Sequence, residues 1–127
     1  MPHRHEDWLA QARRDLQAAK NSRASKDYDW SSFQRQQSAE KALKALLRYQ
    51  MDEKRGHDLL DLVKMLKKKV PVTVSRASRR LNQQYFRSRY PDSLLEGYPA
   101  EFYNEKIAQE CITDAETILA FVEANVS

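Results

Sequence analysis

The chain has 127 residues, 41% apolar and 31% charged, with a formal net charge of +4. That balance excludes a disordered polar chain and matches the size of one domain, long enough to bury a core without staples. The single cysteine, Cys111, excludes an internal disulfide, and no apolar run approaches the roughly 20 residues that span a bilayer.

Two glycines and four prolines, set among many Ala, Leu, Lys, Glu, Gln and Arg residues, favour helix throughout. The opening MPHRHEDWLAQ lacks the apolar core of a signal peptide, and a cytoplasmic location is expected. No repeat, low-complexity tract or linker divides residues 1–127, so a single domain is expected.

A first helix is predicted over about 5–24. Trp8, Leu9, Ala12, Leu16 and Ala19 share one face, with Asp15 just outside that arc beside Trp8. A second is predicted over about 31–53, with Asp29, Ser31 or Ser32 as N-cap. Ala39, Ala42, Leu43, Leu46, Leu47 and Tyr49 form its apolar arc, and Gln36 projects inside it. Gln37, Lys41, Lys44 and Arg48 fall on the opposite side, which should be wet. Gly56 suits a left-handed residue after that helix. Asp58 is the expected N-cap of a short third helix over about 59–69, carrying Leu59, Leu62, Val63 and Leu66 inward and ended by Pro71.

The fourth helix is predicted over about 73–89. Val74, Ala77, Leu81 and Tyr85 lie on one side, and Arg76, Arg80, Gln83 and Arg87 on the other. Pro91 stops it near Tyr90. A loop over about 91–101 leads to a fifth helix, about 102–125, striped by Ile107, Cys111, Ala115, Ile118 and Val122, with Asp114 at the edge. The only β-like patch, VPVTV at 70–74, is interrupted by Pro71. The fold class is therefore all-α: an antiparallel up-and-down bundle of four long helices plus one short one.

The net charge hides an asymmetry. Residues 1–61 sum to +2, residues 62–91 to +9 without one acidic residue, and residues 92–127 to −7. Either the acidic segment packs beside the basic one and neutralises it, or a positive surface is left to meet phosphates or an acidic partner.

Site chemistry is sparse. His3 and His5 sit near the N-terminus, His57 stands alone in sequence beside Gly56, and Cys111 reads as core, so no metal and no cofactor are expected. Two glycines cannot build a phosphate-binding glycine loop. More informative are Asp15, Gln36 and Asp114, polar residues on or beside buried arcs, which need partners. On the helical wheel Arg89 lies near Tyr85 on the core side and is expected to reach Asp15 or Asp114. Such a contact is either an ion pair that fixes helix register or a polar pocket for a phosphate or nucleotide. Arg76, Arg80 and Arg87 form either a solvated face or a line of phosphate contacts. Tyr85, Phe86 and Tyr90 can stack on bases or pack into core and interface.

The motifs WLAQARRDLQAA, FQRQQSAEKALKALL, GHDLLDL and SRYPD, followed by an Ala/Ile-striped helix, occur in an order that resembles the HEPN (higher eukaryotes and prokaryotes nucleotide-binding) domain family over about 6–124. The resemblance implies a dimerising helical domain commonly paired with a minimal nucleotidyltransferase in a two-component, toxin–antitoxin-like system. Many such domains are ribonucleases carrying Arg, four to six residues, then His. Here His57 is preceded at those distances by Gln50, Met51 and Asp52, and no histidine follows it, so the chain resembles the branch without that motif. The resemblance then implies an interaction or nucleotide-binding protein, with Arg89, Tyr90, Asp15 and Gln36 at the SRYPD corner and Arg76, Arg80 and Arg87 for phosphates. The alternatives are a ribonuclease with a non-standard site and a structural dimer with no nucleic-acid role. Twelve aromatics, with Tyr98, Phe102 and Tyr103 close together, add to the expectation of a homodimer.

Overall fold

The computed structural model describes residues 4–126. His3, considered above as a ligand, lies outside the described residues. α1 spans His5–Ala24, α2 Tyr28–Tyr49, α3 Leu59–Lys64, α4 Val72–Asn82, α5 Gln84–Arg87, α6 Pro99–Phe102 and α7 Glu105–Ala124, with a 3-10 turn at Pro91–Ser93. Among the described residues there is no strand, and no helix is long and apolar enough to cross a membrane.

α1 runs where its periodicity placed it, burying Leu9, Ala12, Leu16 and Ala19 at helical spacing. Its C-terminus closes in a Schellman turn: the Lys26 N–H donates to Arg23 O and the Asp27 N–H to Ser22 O, with Lys26 left-handed at φ 66°. α2 then starts and stops earlier than expected. Ser31 and Ser32 are not caps but lie buried inside the helix. The Ser31 and Ser38 hydroxyls donate to the Ala19 and Ala12 carbonyls of α1, each at 2.7 Å. Small hydroxyls beside alanines let the two backbones approach closely while staying hydrogen-bonded.

α2 is the central helix, packed against α1, α3, α4 and α7. Its expected wet stripe is therefore mostly enclosed: Gln37, Lys41, Lys44 and Arg48 are half-buried, and Glu40 and Arg35 are buried. The helix ends in a second Schellman turn, with the Met51 N–H on Arg48 O and the Asp52 N–H on Leu47 O. Met51, not Gly56, holds the left-handed position there, at φ 70°. Gly56 is also left-handed, φ 104°, but in the following loop.

Asp58 caps α3 as expected, accepting from Leu60 N at 2.9 Å and Asp61 N at 3.4 Å. Asn82 ties this cap to α4: its Nδ2 donates to Asp58 Oδ1 and its Oδ1 accepts from Leu59 N, both at 2.8 Å. The Asn82 bond, with the backbone donors, holds the Asp58 carboxyl below its usual range. α3 stops at Lys64, well before Pro71. Pro71, extended at ψ 148°, instead starts α4, so most of VPVTV enters a helix.

The predicted fourth helix breaks at Gln83, and α5 is a separate short turn. Asn104 caps α7 by accepting from Ile107 N at 2.9 Å. α7 buries Cys111, Ala115, Ile118 and Val122 as expected, together with Ala108, Ile112 and Leu119, against α2 and α4. One apolar cluster joins α1, α2, α3, α4 and α7.

Lys26 and Met51 close their helix C-termini in the left-handed region, where an L side chain costs about 1–2 kcal/mol. Met51 is 68% exposed, so its side chain contributes little packing. Met51→Gly is expected to raise unfolding stability by about 0.5–1 kcal/mol, read from the urea midpoint at unchanged slope.

Candidate functional site

The polar core of the site lies on α2. Glu40 is 4% exposed, and a carboxylate so placed needs compensation. Four side chains supply it. Lys44 Nζ meets Oε2 at 3.1 Å and His57 Nδ1 meets Oε1 at 2.8 Å. Gln37 Nε2 and Gln36 Nε2 lie at 3.4 and 3.5 Å from Oε1. Gln36, fully buried, also donates to the His57 carbonyl at 3.2 Å. The loop after α2 is thus fastened to the helix through both the backbone and the ring of His57.

The His57 ring stacks on Tyr85 of α5, centroids 4.1 Å apart and planes 17° apart. Arg89 continues the layer. Its guanidinium carbon lies 4.2 Å from the Phe33 ring centroid, 4.7 Å from Tyr85 and 5.0 Å from Tyr90. Its Nε and Nη2 donate to the Tyr85 carbonyl at 2.9 and 2.6 Å. Tyr90 and Phe86, both about half exposed, stack on each other at 4.9 Å. The result is an aromatic corner holding one fixed guanidinium and one imidazole, suited to stacking on planar groups and to charge-assisted contact with a phosphate.

The sequence-predicted residues divide. Gln36, Arg89 and Tyr90 lie in or beside this corner. Asp15 does not: it pairs with Lys41 and accepts from Gln11 Nε2 at 2.9 Å on the α1–α2 seam. Arg89 contacts neither Asp15 nor Asp114, a correction with a simple cause. A helical wheel carried past the break at Gln83 assigns residue 89 the wrong direction. Asp114 is instead held by Arg80, Nε to Oδ2 at 2.9 Å and Nη2 to Oδ1 at 2.7 Å, a bidentate pair that turns Arg80 toward α7. Arg87 lies over the Phe102 ring at 5.6 Å and shares a cavity of about 240 Å³ with Arg80. Arg76 is exposed on α4. The three arginines thus have different surroundings: Arg80 is paired with Asp114, Arg87 lies over Phe102, and Arg76 stands exposed.

The acidic α7 does little to neutralise residues 62–91. Glu105, Glu116 and Glu123 pair with Arg23, Lys20 and Arg13 of α1. Among the described residues only the Arg80–Asp114 pair joins α7 to the basic segment.

Two buried groups stand apart from the corner. Burial pushes the Cys111 thiol up to about 11, so it stays protonated at neutral pH and is no nucleophile. Arg35 is fully buried, and none of its three guanidinium nitrogens has a hydrogen-bond partner among the described residues. Desolvation lowers its pKa to about 10.

Sequence reasoning missed Glu40, Lys44, His57 and Phe33 as site residues. The Glu40–Lys44 pair had a signal, an i,i+4 acid–base spacing. The Glu40–His57 contact had none, since it depends on how the loop folds back.

The HEPN domain model matches residues 5–125. Among solved structures, TT1696 from Thermus thermophilus is 39% identical with TM-score 0.94, covering 98% of this chain and 99% of that one. ST0689, described as an archaeal HEPN homologue, is 41% identical with TM-score 0.84, covering 97% and 98%. A HEPN domain protein from Thermotoga maritima is 27% identical with TM-score 0.74, covering 93% and 95%. No curated protein matches the chain.

Proposed function

The chain belongs to the HEPN domain family, and from that premise we propose that it is an interaction module whose aromatic corner binds a nucleotide or an RNA strand. One observation carries the proposal: the Arg89 guanidinium is fixed on the Tyr85 carbonyl among the Phe33, Tyr85 and Tyr90 rings, beside the His57–Tyr85 stack. Its Nη1 has no hydrogen-bond partner among the described residues, the hydrogen bonds falling to Nε and Nη2, and Tyr90 and Phe86 present half-exposed rings to a base. The excess positive charge of residues 62–91, only partly paired, would draw a polyanion toward this side of the molecule. The protein partner we propose is a minimal nucleotidyltransferase, in a two-component, toxin–antitoxin-like pair, acting on a homodimer of this chain. The exposed Leu95, Tyr98 and Phe102 supply apolar surface for the dimer contact.

A second reading, RNA cleavage at a non-standard site, draws on the Glu40–His57 contact. A carboxylate that orients an imidazole is the arrangement a general acid or base needs. The Arg-x4–6-His spacing is absent, so cleavage would have to run through this dyad alone.

Fluorescence anisotropy with a labelled single-stranded RNA, together with nucleotide titrations, tests the first reading. Arg89→Ala is expected to weaken binding at least tenfold, and affinity should fall steeply with salt. Binding indifferent to both would sink it. The same RNA run on a gel tests the second: intact RNA is expected, and cleavage abolished in His57→Ala would favour the enzyme. Light scattering at high micromolar concentration should give twice the 14.9 kDa chain mass, and a joint complex when a nucleotidyltransferase encoded beside it is added. A strictly monomeric mass with no complex would contradict the partner proposal.

A further inference from the structure

A second concave surface adjoins Glu40 through Lys44. Trp8 of α1, Lys44 and Arg48 of α2, and Glu53, Lys54, Arg55 and Gly56 of the following loop enclose about 370 Å³.

Four cations line this space, and two of them are immobilised. Lys44, its side chain 13% exposed, is held by Glu40 and lies 5.6 Å from the Trp8 ring centroid. Arg48 lies over the same ring at 5.1 Å and pairs with Glu53 at 3.0 Å. Glu40 and Glu53 thus balance two of the four charges. Lys54 and Arg55 are exposed and have no ion-pair or hydrogen-bond partner among the described residues. The left-handed Met51 and Gly56 bracket the loop that carries them. A helix C-terminus would ordinarily repel an anion here. The Gln50, Met51 and Asp52 N–H groups cover the Leu46, Arg48 and Leu47 carbonyls, which weakens that field.

We propose that this pocket binds a polyphosphate chain, two or more linked phosphates, whether free or as the tail of a nucleotide. The chemistry selects that class over the alternatives. Two uncompensated cations beside two fixed ones favour several negative charges packed together rather than a monoanion. Their convergence in one concavity suits linked phosphates, whereas a nucleic-acid backbone would need them spaced along a groove. The pocket does not rest on the corner reading, because its ligands are different side chains.

Isothermal titration of the full chain at fixed ionic strength tests this with sodium triphosphate, orthophosphate and ATP. Triphosphate is expected to bind at least tenfold tighter than orthophosphate. The Lys54→Ala/Arg55→Ala double variant, altered only at exposed loop positions and checked by circular dichroism, should lose at least tenfold of that affinity. Arg89→Ala should change it less than twofold, which separates a failure here from a failure at the corner. ATP no tighter than triphosphate identifies the bare chain as the ligand, and ATP at least tenfold tighter identifies a nucleotide. No triphosphate binding, or unchanged affinity in the double variant, overturns the proposal.

Discussion

The carboxylate of Glu40 is the constraint on which the rest of the site depends. It lies buried in the middle of the helix that every large element packs against, and it is held by an ammonium and an imidazole. A buried charge left with no partner would cost about 3–5 kcal/mol. An exposed pair such as Arg13–Glu123 contributes about 0–1 kcal/mol. The difference decides which charges shape the molecule. The rim of pairs between α1 and α7 trims the surface, while Glu40 fixes where the loop over residues 50–58 goes. Lys44 on one side faces the basic pocket, and His57 on the other faces the aromatic corner.

The frame allows this because α2 is enclosed on nearly all sides. Its alanines and serines bring α1 close, with Ser31 and Ser38 spending their hydroxyls on α1 carbonyls. Its polar residues then have few outlets, so they pair locally: Lys41 with Asp15, Lys44 with Glu40, Gln36 with the His57 carbonyl. Arg35 is the exception, a buried guanidinium with no hydrogen-bond partner among the described residues.

Much of the fold was legible in the sequence, and the reasons differ by element. α1 is a surface helix with one apolar face, so its period gave its residues directly. Asp58 worked as a cap signal because capping is local. α2 misled because a helix packed on several sides shows no dependable wet stripe. Gly56 drew the left-handed role that Met51 holds, since a Schellman turn is set by hydrogen bonds and only biased by residue type. A helical wheel carried through the break at Gln83 turns Arg89 toward carboxylates it never meets. The corner was half-visible, as Gln36, Arg89 and Tyr90. Its other half is a contact between residues 40 and 57, which no local pattern encodes.

A family member without the Arg-x4–6-His spacing thus still brings a histidine to a carboxylate, beside a guanidinium held among aromatic rings. The most direct measurement of that arrangement is a double-mutant cycle on Glu40→Gln and His57→Ala, with stability read by urea unfolding. If the carboxylate fastens the loop through the ring, the two changes couple by about 1 kcal/mol or more. Additive effects, within about 0.3–0.5 kcal/mol, would contradict it.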